Sequence, residues 1–254
     1  MDNEGIKEAL KRIAPTDVDF TVVTTGKSSG RVNGLDKTGT HEIILHNKNF
    51  KSDNQLMYTA IHEYTHHIQN EHGKSQARAH DNDFWAKFYS FIDKAIELGI
   101  YRREYSDGMK DMIQEANEIQ GEILAAQKRL GIILQKIHEE CDNCGARYED
   151  VVEHDLQMKR ATAVSSSTVS NVPNSEEIKS TDAALLYAHG NEQVKKAVKN
   201  GMTLPQAKAA SKNDGDGFVS KTDMLEKEKR RIERTLDALE QRLADIENML
   251  EKGE

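Results

Sequence analysis

Hydrophobic and polar residues alternate over short runs near the N-terminus and then recur at helical spacing through most of the chain. Ile6, Leu10 and Ile13 mark a first short helix. Val18 to Thr24 alternates in part and is rich in β-branched residues, which predicts a strand. Arg31 to Leu35 and Glu42 to His46 are two further strand candidates. The stretch between them, Asp36 to Thr40, reads as a hairpin turn with Gly39 supplying positive φ. A helix capped by Ser52 or Asp53 follows, with Leu56, Met57, Ala60, Ile61, Thr65 and Ile68 on its apolar stripe. Another runs from Asp83 through Leu98 and carries Phe84, Trp85, Phe88, Phe91 and Ile92.

From Met109 to Ile137 the apolar steps alternate between three and four, a heptad seam through Met112, Ala116, Ile119, Ile123, Ala126, Leu130 and Ile133. A shorter helix is expected over Tyr148 to Met158, after a turn holding Cys141 and Cys144. Ala163 to Asn174, rich in Ser and Thr, with Pro173 near its end, reads as a linker. Short helices are expected over Asp182–Ala188, Glu192–Lys199 and Leu204–Ser211. A second heptad run passes through Leu225, Ile232, Leu236, Leu239, Leu243, Ile246 and Leu250. The fold class predicted is α+β: a small domain over 1–104, then a long helical, partly coiled-coil region. That region divides into a long helix and helical hairpin (105–160), a linker (161–180), a short helical module (181–212) and a turn plus coiled-coil helix (213–254).

Composition sharpens this picture. With 37% hydrophobic and 31% charged residues in 254, one modest core with extended helices is favoured over a single tight globule. A net charge of -8 argues against a chain devoted to coating phosphate backbones. No run approaches the roughly 18 apolar residues of a membrane helix, so no membrane association is expected. Met1 to Leu10 lacks the apolar core of a secretory signal, and two cysteines build no disulfide framework. A cytoplasmic location is the expectation.

The chemistry lies in Ile61-His62-Glu63-Tyr64-Thr65-His66, an H-E-x-x-H motif. Residues four apart stack on one helix face, so His62 and His66 can both reach one metal ion. Glu63 then projects towards a water on that metal, whose pKa the ion brings towards neutrality. The motif sits in an amphipathic helix, with a β-branched strand before it of the kind that binds an extended substrate. On ligand chemistry alone, Glu71, His72, His80 and Asp83 are all open as the third ligand. His67 reads as a surface residue or a support behind the site, and Tyr58 is a second neighbour without a motif.

His80-Asp81-Asn82-Asp83-Phe84-Trp85 places a histidine four positions before a Phe-Trp pair and 14 after His66. Together with H-E-x-x-H this resembles the SprT-like and YgjP-like zinc metallopeptidases over roughly residues 15 to 100. The resemblance implies a zincin-like domain, one zinc per chain held by His62, His66 and His80, and Glu63 as general base. It implies a hydrolase acting on a protein or peptide substrate, with Phe84 and Trp85 anchoring the loop that carries His80.

Weaker signals remain. Cys141 and Cys144, with His138 and His154, have the ligand types of a second zinc site; their bland reading is a turn with two reduced thiols. Asp214, Asp216 and Asp223 follow an EF-hand-like pattern, but Lys212 stands where an aspartate is expected, which favours a plain Asp/Gly turn. Glu115 to Ala163 resembles a helical segment of phage and plasmid proteins, through Arg129-Leu-Gly131, Gly145-Ala-Arg-Tyr-Glu-Asp150 and Lys159-Arg-Ala-Thr162. Gly190 to Ala207 has the look of a helix-turn-helix, which makes DNA or a DNA-bound protein a candidate partner. The C-terminal heptads are a candidate homodimer contact. A rival reading is therefore a DNA-associated or scaffold protein of a mobile element with an inactive or structural zinc site.

Overall fold

Helix α1 (Asn3–Ile13) begins where the Asp2 side chain accepts a hydrogen bond from the main-chain N–H of Gly5, and it buries Ile6, Ala9, Leu10 and Ile13. The structure, a computed structural model, describes residues 1–71 and 80–211, all within the unit Met1–Lys212. Three short strands follow: β1 (Thr21–Thr24), β2 (Gly34–Lys37) and β3 (Glu42–Leu45). The sheet order is β1-β3-β2. β1 runs parallel to β3 with Val22 opposite Ile43, and β2 runs antiparallel to it with Leu35 opposite Ile44. The most apolar strand takes the centre, where Ile43 and Leu45 have no exposed surface.

β2 lies about one turn of chain later than the expected Arg31–Leu35. Residues before it are held by a side chain instead of a ladder: Asn49 Nδ2 donates to Ser29 O and to Asn33 Oδ1, each at 2.8 Å. Pairing of Lys37 with Glu42 leaves residues 38–41 for the turn. The left-handed residue there is His41 (φ 51°), and Gly39 is not among the positive-φ glycines. The last turn residue must redirect the chain into β3, so the left-handed position falls at the end of the turn.

Helix α2 (Asp53–Glu71) packs with α1 against the sheet, and α3 (Asn82–Glu97) packs on α2 and α1. Ser52 Oγ accepts from the Gln55 N–H and starts α2, and all six expected stripe residues of α2 are buried. Phe84, Phe88 and Ile92 of α3 complete this core, with Trp85 and Phe91 packed at its margin.

Helix α4 (Asp107–Cys144) is longer than expected: Cys141 and Cys144 lie in its last turn, ended by Gly145 at φ 74°. Its buried residues are Leu124, Gly131, Leu134 and Cys141, whereas Met112, Ile119, Ile123 and Ile133 of the expected seam are about half exposed or more (64%, 48%, 55% and 50%). The packed face is thus the expected one advanced by one residue, a rotation of about 100°. The expected Tyr148–Met158 helix is a single turn, α5 (Tyr148–Asp150), running into a π-helical turn over Val151–Asp155. The expected linker is largely helix α6 (Arg160–Ser170), laid against α4. Ser and Thr, poor helix formers in isolation, serve here because short side chains let two helices approach closely. α7 (Thr181–His189), α8 (Glu192–Lys199) and α9 (Leu204–Ala210) close a second core around Val169, Ala184, Val194 and Ala207.

Among the described residues the chain is mostly helical with one three-stranded sheet, an α+β arrangement. No described helix is long and apolar enough to cross a membrane. Asp214, Asp216, Asp223 and the C-terminal heptads lie outside the described residues.

Candidate metal centre

Two helix starts and one helical repeat assemble the site. His62 and His66 stand one turn apart on α2. His80 immediately precedes Asp81, whose side chain caps α3 by accepting from the Phe84 N–H at 2.8 Å. The cap fixes where α3 begins, and with it where His80 points. His80 Nε2 lies 3.0 Å from His62 Nε2 and 3.1 Å from His66 Nε2. A single ring nitrogen has one proton or one lone pair and cannot satisfy two such neighbours, whereas a cation at their centre satisfies all three. Zinc–nitrogen bonds of about 2.0–2.1 Å at tetrahedral angles give N···N edges of about 3.3 Å, close to these spacings. Among the described residues, this is the one group of three or more His, Cys, Asp or Glu close enough to hold a metal ion.

Aromatic packing holds the rings in place. Phe84 is fully buried, stacks on His66 with centroids 4.4 Å apart, and meets the edges of His62 and His80. Trp85 stacks on His80 at 5.7 Å. The Phe-Trp pair therefore anchors the third histidine, as expected. Burial, reinforced by the neighbouring rings, lowers both His62 and His66 to about 4. Both are neutral at physiological pH, the form that binds metal.

Glu63 is 8% exposed and occupies the gap between α2 and β2. Burial raises its carboxyl to about 7; a main-chain N–H from Asp36 opposes that rise, and the Asp36 carboxylate adds to it. Gly34 makes the approach feasible, since a Cβ there would come within 2.8 Å of Glu63 Cγ and 2.9 Å of Thr59 Cγ2. Asp36 is itself held by Asn70 Nδ2 at 2.9 Å and Thr38 Oγ1 at 3.2 Å, while its Oδ1 is buried without a hydrogen bond. Neither Gly34 nor Asp36 was expected to matter, although a glycine inside a strand is a recognised sign of close approach.

The histidines and Glu63 share a cleft of about 500 Å³ with Val32, Leu35, Asp36 and Tyr58. β2 is an edge strand and its residues form one wall. Of the other third-ligand candidates, Glu71 turns away to accept from Thr16 Oγ1 (2.8 Å) and the Asp17 N–H (2.9 Å). Asp83 is not part of the cluster, and His72 lies outside the described residues. His67 is buried rather than on the surface: it stacks on Tyr64 and approaches Asp36 Oδ1 with its Nδ1 at 3.9 Å, behind the site.

The cysteine group is not brought together. Cys141 is buried against the helical core while Cys144 is exposed and donates to Cys141 O. His138 packs on Tyr148 and pairs with Asp142, and His154 bonds Asp155. Extending α4 through both cysteines commits them to helical directions, which removes the turn that could have gathered four ligands. α9 likewise packs on both α3 and α8, so the second helix of the expected helix-turn-helix is committed within the fold. Comparison of the chain with family models, with curated proteins and with solved structures returned no match.

Proposed function

We propose that the protein is a zinc-dependent metallopeptidase of SprT-like type. The observation that carries this reading is the convergence of three histidine Nε2 atoms beside a buried glutamate, in a cleft walled by an edge strand. A bound zinc ion would supply Lewis acidity, which activates a water and polarises a carbonyl. His62, His66 and His80 would hold it, and their neutral state removes any need to expel protons from the first two.

Glu63 would take the proton of the attacking water and pass it to the leaving amine. Its proximity to neutral pH suits both directions of that transfer. The main-chain N–H of Asp36 holds the carboxylate against β2, and Gly34 leaves the room for it. The open edge of β2 can pair with an extended peptide, aligning its carbonyls along the cleft.

Two measurements test the reading together. Zinc content by mass spectrometry is expected to be about one per chain, and His66→Ala is expected to lose it. Glu63→Gln is expected to keep the zinc and lose peptide hydrolysis by at least about 100-fold. Undiminished hydrolysis by the Gln variant, or a folded wild type without zinc affinity, would sink the proposal.

A further inference from the structure

We infer that the cleft continues beyond the histidines into a second subsite that takes a large apolar side chain of an extended peptide, three to four residues from the scissile bond. This rests on the peptidase reading and adds the substrate class. A second depression, of about 400 Å³, lies next to the metal cleft and shares Asn33, Tyr58 and Thr59 with it as common wall. Its far end is lined by Phe50, Gln55, Tyr101 and Tyr105.

The separation follows from helix geometry. Tyr58 is one turn before His62 on α2, and Asn54 and Gln55 are two turns before it. At ~1.5 Å per residue those two turns span about 10–12 Å. An extended peptide advances ~3.3 Å per residue, so this distance corresponds to about three residues of substrate.

The lining defines the chemistry. Tyr58 and Tyr105 are 41% and 40% exposed, and the Tyr58 and Tyr101 rings lie 5.9 Å apart, so an aromatic surface faces the groove. Val32 and Leu35, each 47% exposed, continue that apolar wall towards the metal centre. Among the described residues that line the two depressions there is no Lys or Arg, whereas Asp36, Glu63 and Glu104 are there. These carboxylates disfavour an acidic peptide; a neutral or basic peptide with an aromatic or large aliphatic residue fits.

The walls are preformed. The Asn54 side chain exchanges two hydrogen bonds with the main chain of Arg102 (2.8 and 3.0 Å), which ties the Tyr101–Tyr105 segment to α2. Asn49 clamps the loop leading to Asn33 from the other side. Little ordering is then required when a side chain enters.

The test uses the full-length, zinc-loaded protein and a mixed library of 14-residue peptides, with cleavage sites read by mass spectrometry. Phe, Tyr, Trp or Leu is expected to be enriched at one position about three or four residues from the cleaved bond, with Asp and Glu depleted there. For a matched pair of peptides carrying Phe or Gly at that position, Tyr105→Ala is expected to lower kcat/KM about tenfold for the Phe peptide alone. The Glu63→Gln variant, which tests binding without turnover, is expected to bind the Phe peptide about tenfold more tightly than the Gly peptide. Cleavage without positional preference, or equal effects of Tyr105→Ala on both peptides, overturns the subsite and leaves the peptidase reading standing. No cleavage of any peptide by zinc-loaded protein, with equal affinities in the Glu63→Gln variant, overturns both.

Discussion

Glu63, His62 and His66 of α2 show how one buried cleft sets opposing demands on single residues. In the metal-free protein the Glu63 carboxyl has a folded value of about 7, above its ordinary 4.5. Its contribution to stability is therefore fully present below pH 4.5 and is lost as pH rises through 7. Glu63→Gln in the presence of chelator is expected to be more stable than wild type by about 3 kcal/mol at pH 8. That difference should shrink towards zero as pH falls to 4.5, as measured by denaturant unfolding at each pH. His62 and His66, lowered from 6.5 to about 4, act in the other direction. Their contribution is present above pH 6.5 and is lost as pH falls towards 4. The site is thus destabilised on both sides in the absence of metal, the reverse of what folding alone would select and a usual mark of functional residues.

At the level of elements, the decisive contact outside the N-terminal α+β part is the crossing of α4 and α6. Gly131 lies at that crossing, and a Cβ there would overlap the main-chain carbonyl of Ser166. Backbone cannot rotate away as a side chain can. Gly131→Ala is therefore expected to destabilise the chain by about 2–3 kcal/mol despite its better helix propensity, read as a lower midpoint of thermal or denaturant unfolding. The heptad pattern of α4 was legible, but not the face that packs. Apolar residues occupy neighbouring faces of this helix, and periodicity cannot say which of them a partner will meet. The small residues of α6, which read as a linker, became the partner because only small side chains admit so close an approach.

Across the described unit, the N-terminal α+β part and the helical extension touch each other across the expected boundary at residue 104. α9 packs on α3, Asn82 Nδ2 donates to Pro205 O at 3.2 Å, and Gln206 Nε2 donates to Asp93 Oδ2 at 2.9 Å. Asn82 is two residues from His80, so the extension braces the helix that positions the third histidine. A chain ending at residue 104 is expected to unfold at a temperature several degrees lower and to yield zinc to a chelator faster. A chain ending at 212, which retains α9, should exceed the chain ending at 104 in both measurements. Equal zinc retention by both truncated chains would show that α3 needs no brace.

The local sequence determined the H-E-x-x-H spacing, the amphipathic helix that carries it, the cap at Asp81 and the Phe-Trp pair, because each acts within a few residues of chain. It also made the α+β class legible, since strand-like runs are confined to the stretch before residue 50 and follow one short helix, whereas helical spacing holds after it. Only the tertiary structure brings His80, and not Glu71 or Asp83, within reach of His62 and His66, because that depends on how α2 and α3 cross rather than on spacing. The same holds for Gly34 against Glu63, for the scattered cysteine and histidine side chains of the helical region, and for α9 on α3. The contacts of Gly34 with Glu63 and of Asn82 with Pro205 join residues 29 and 123 positions apart, and no pattern confined to one segment carries information about them.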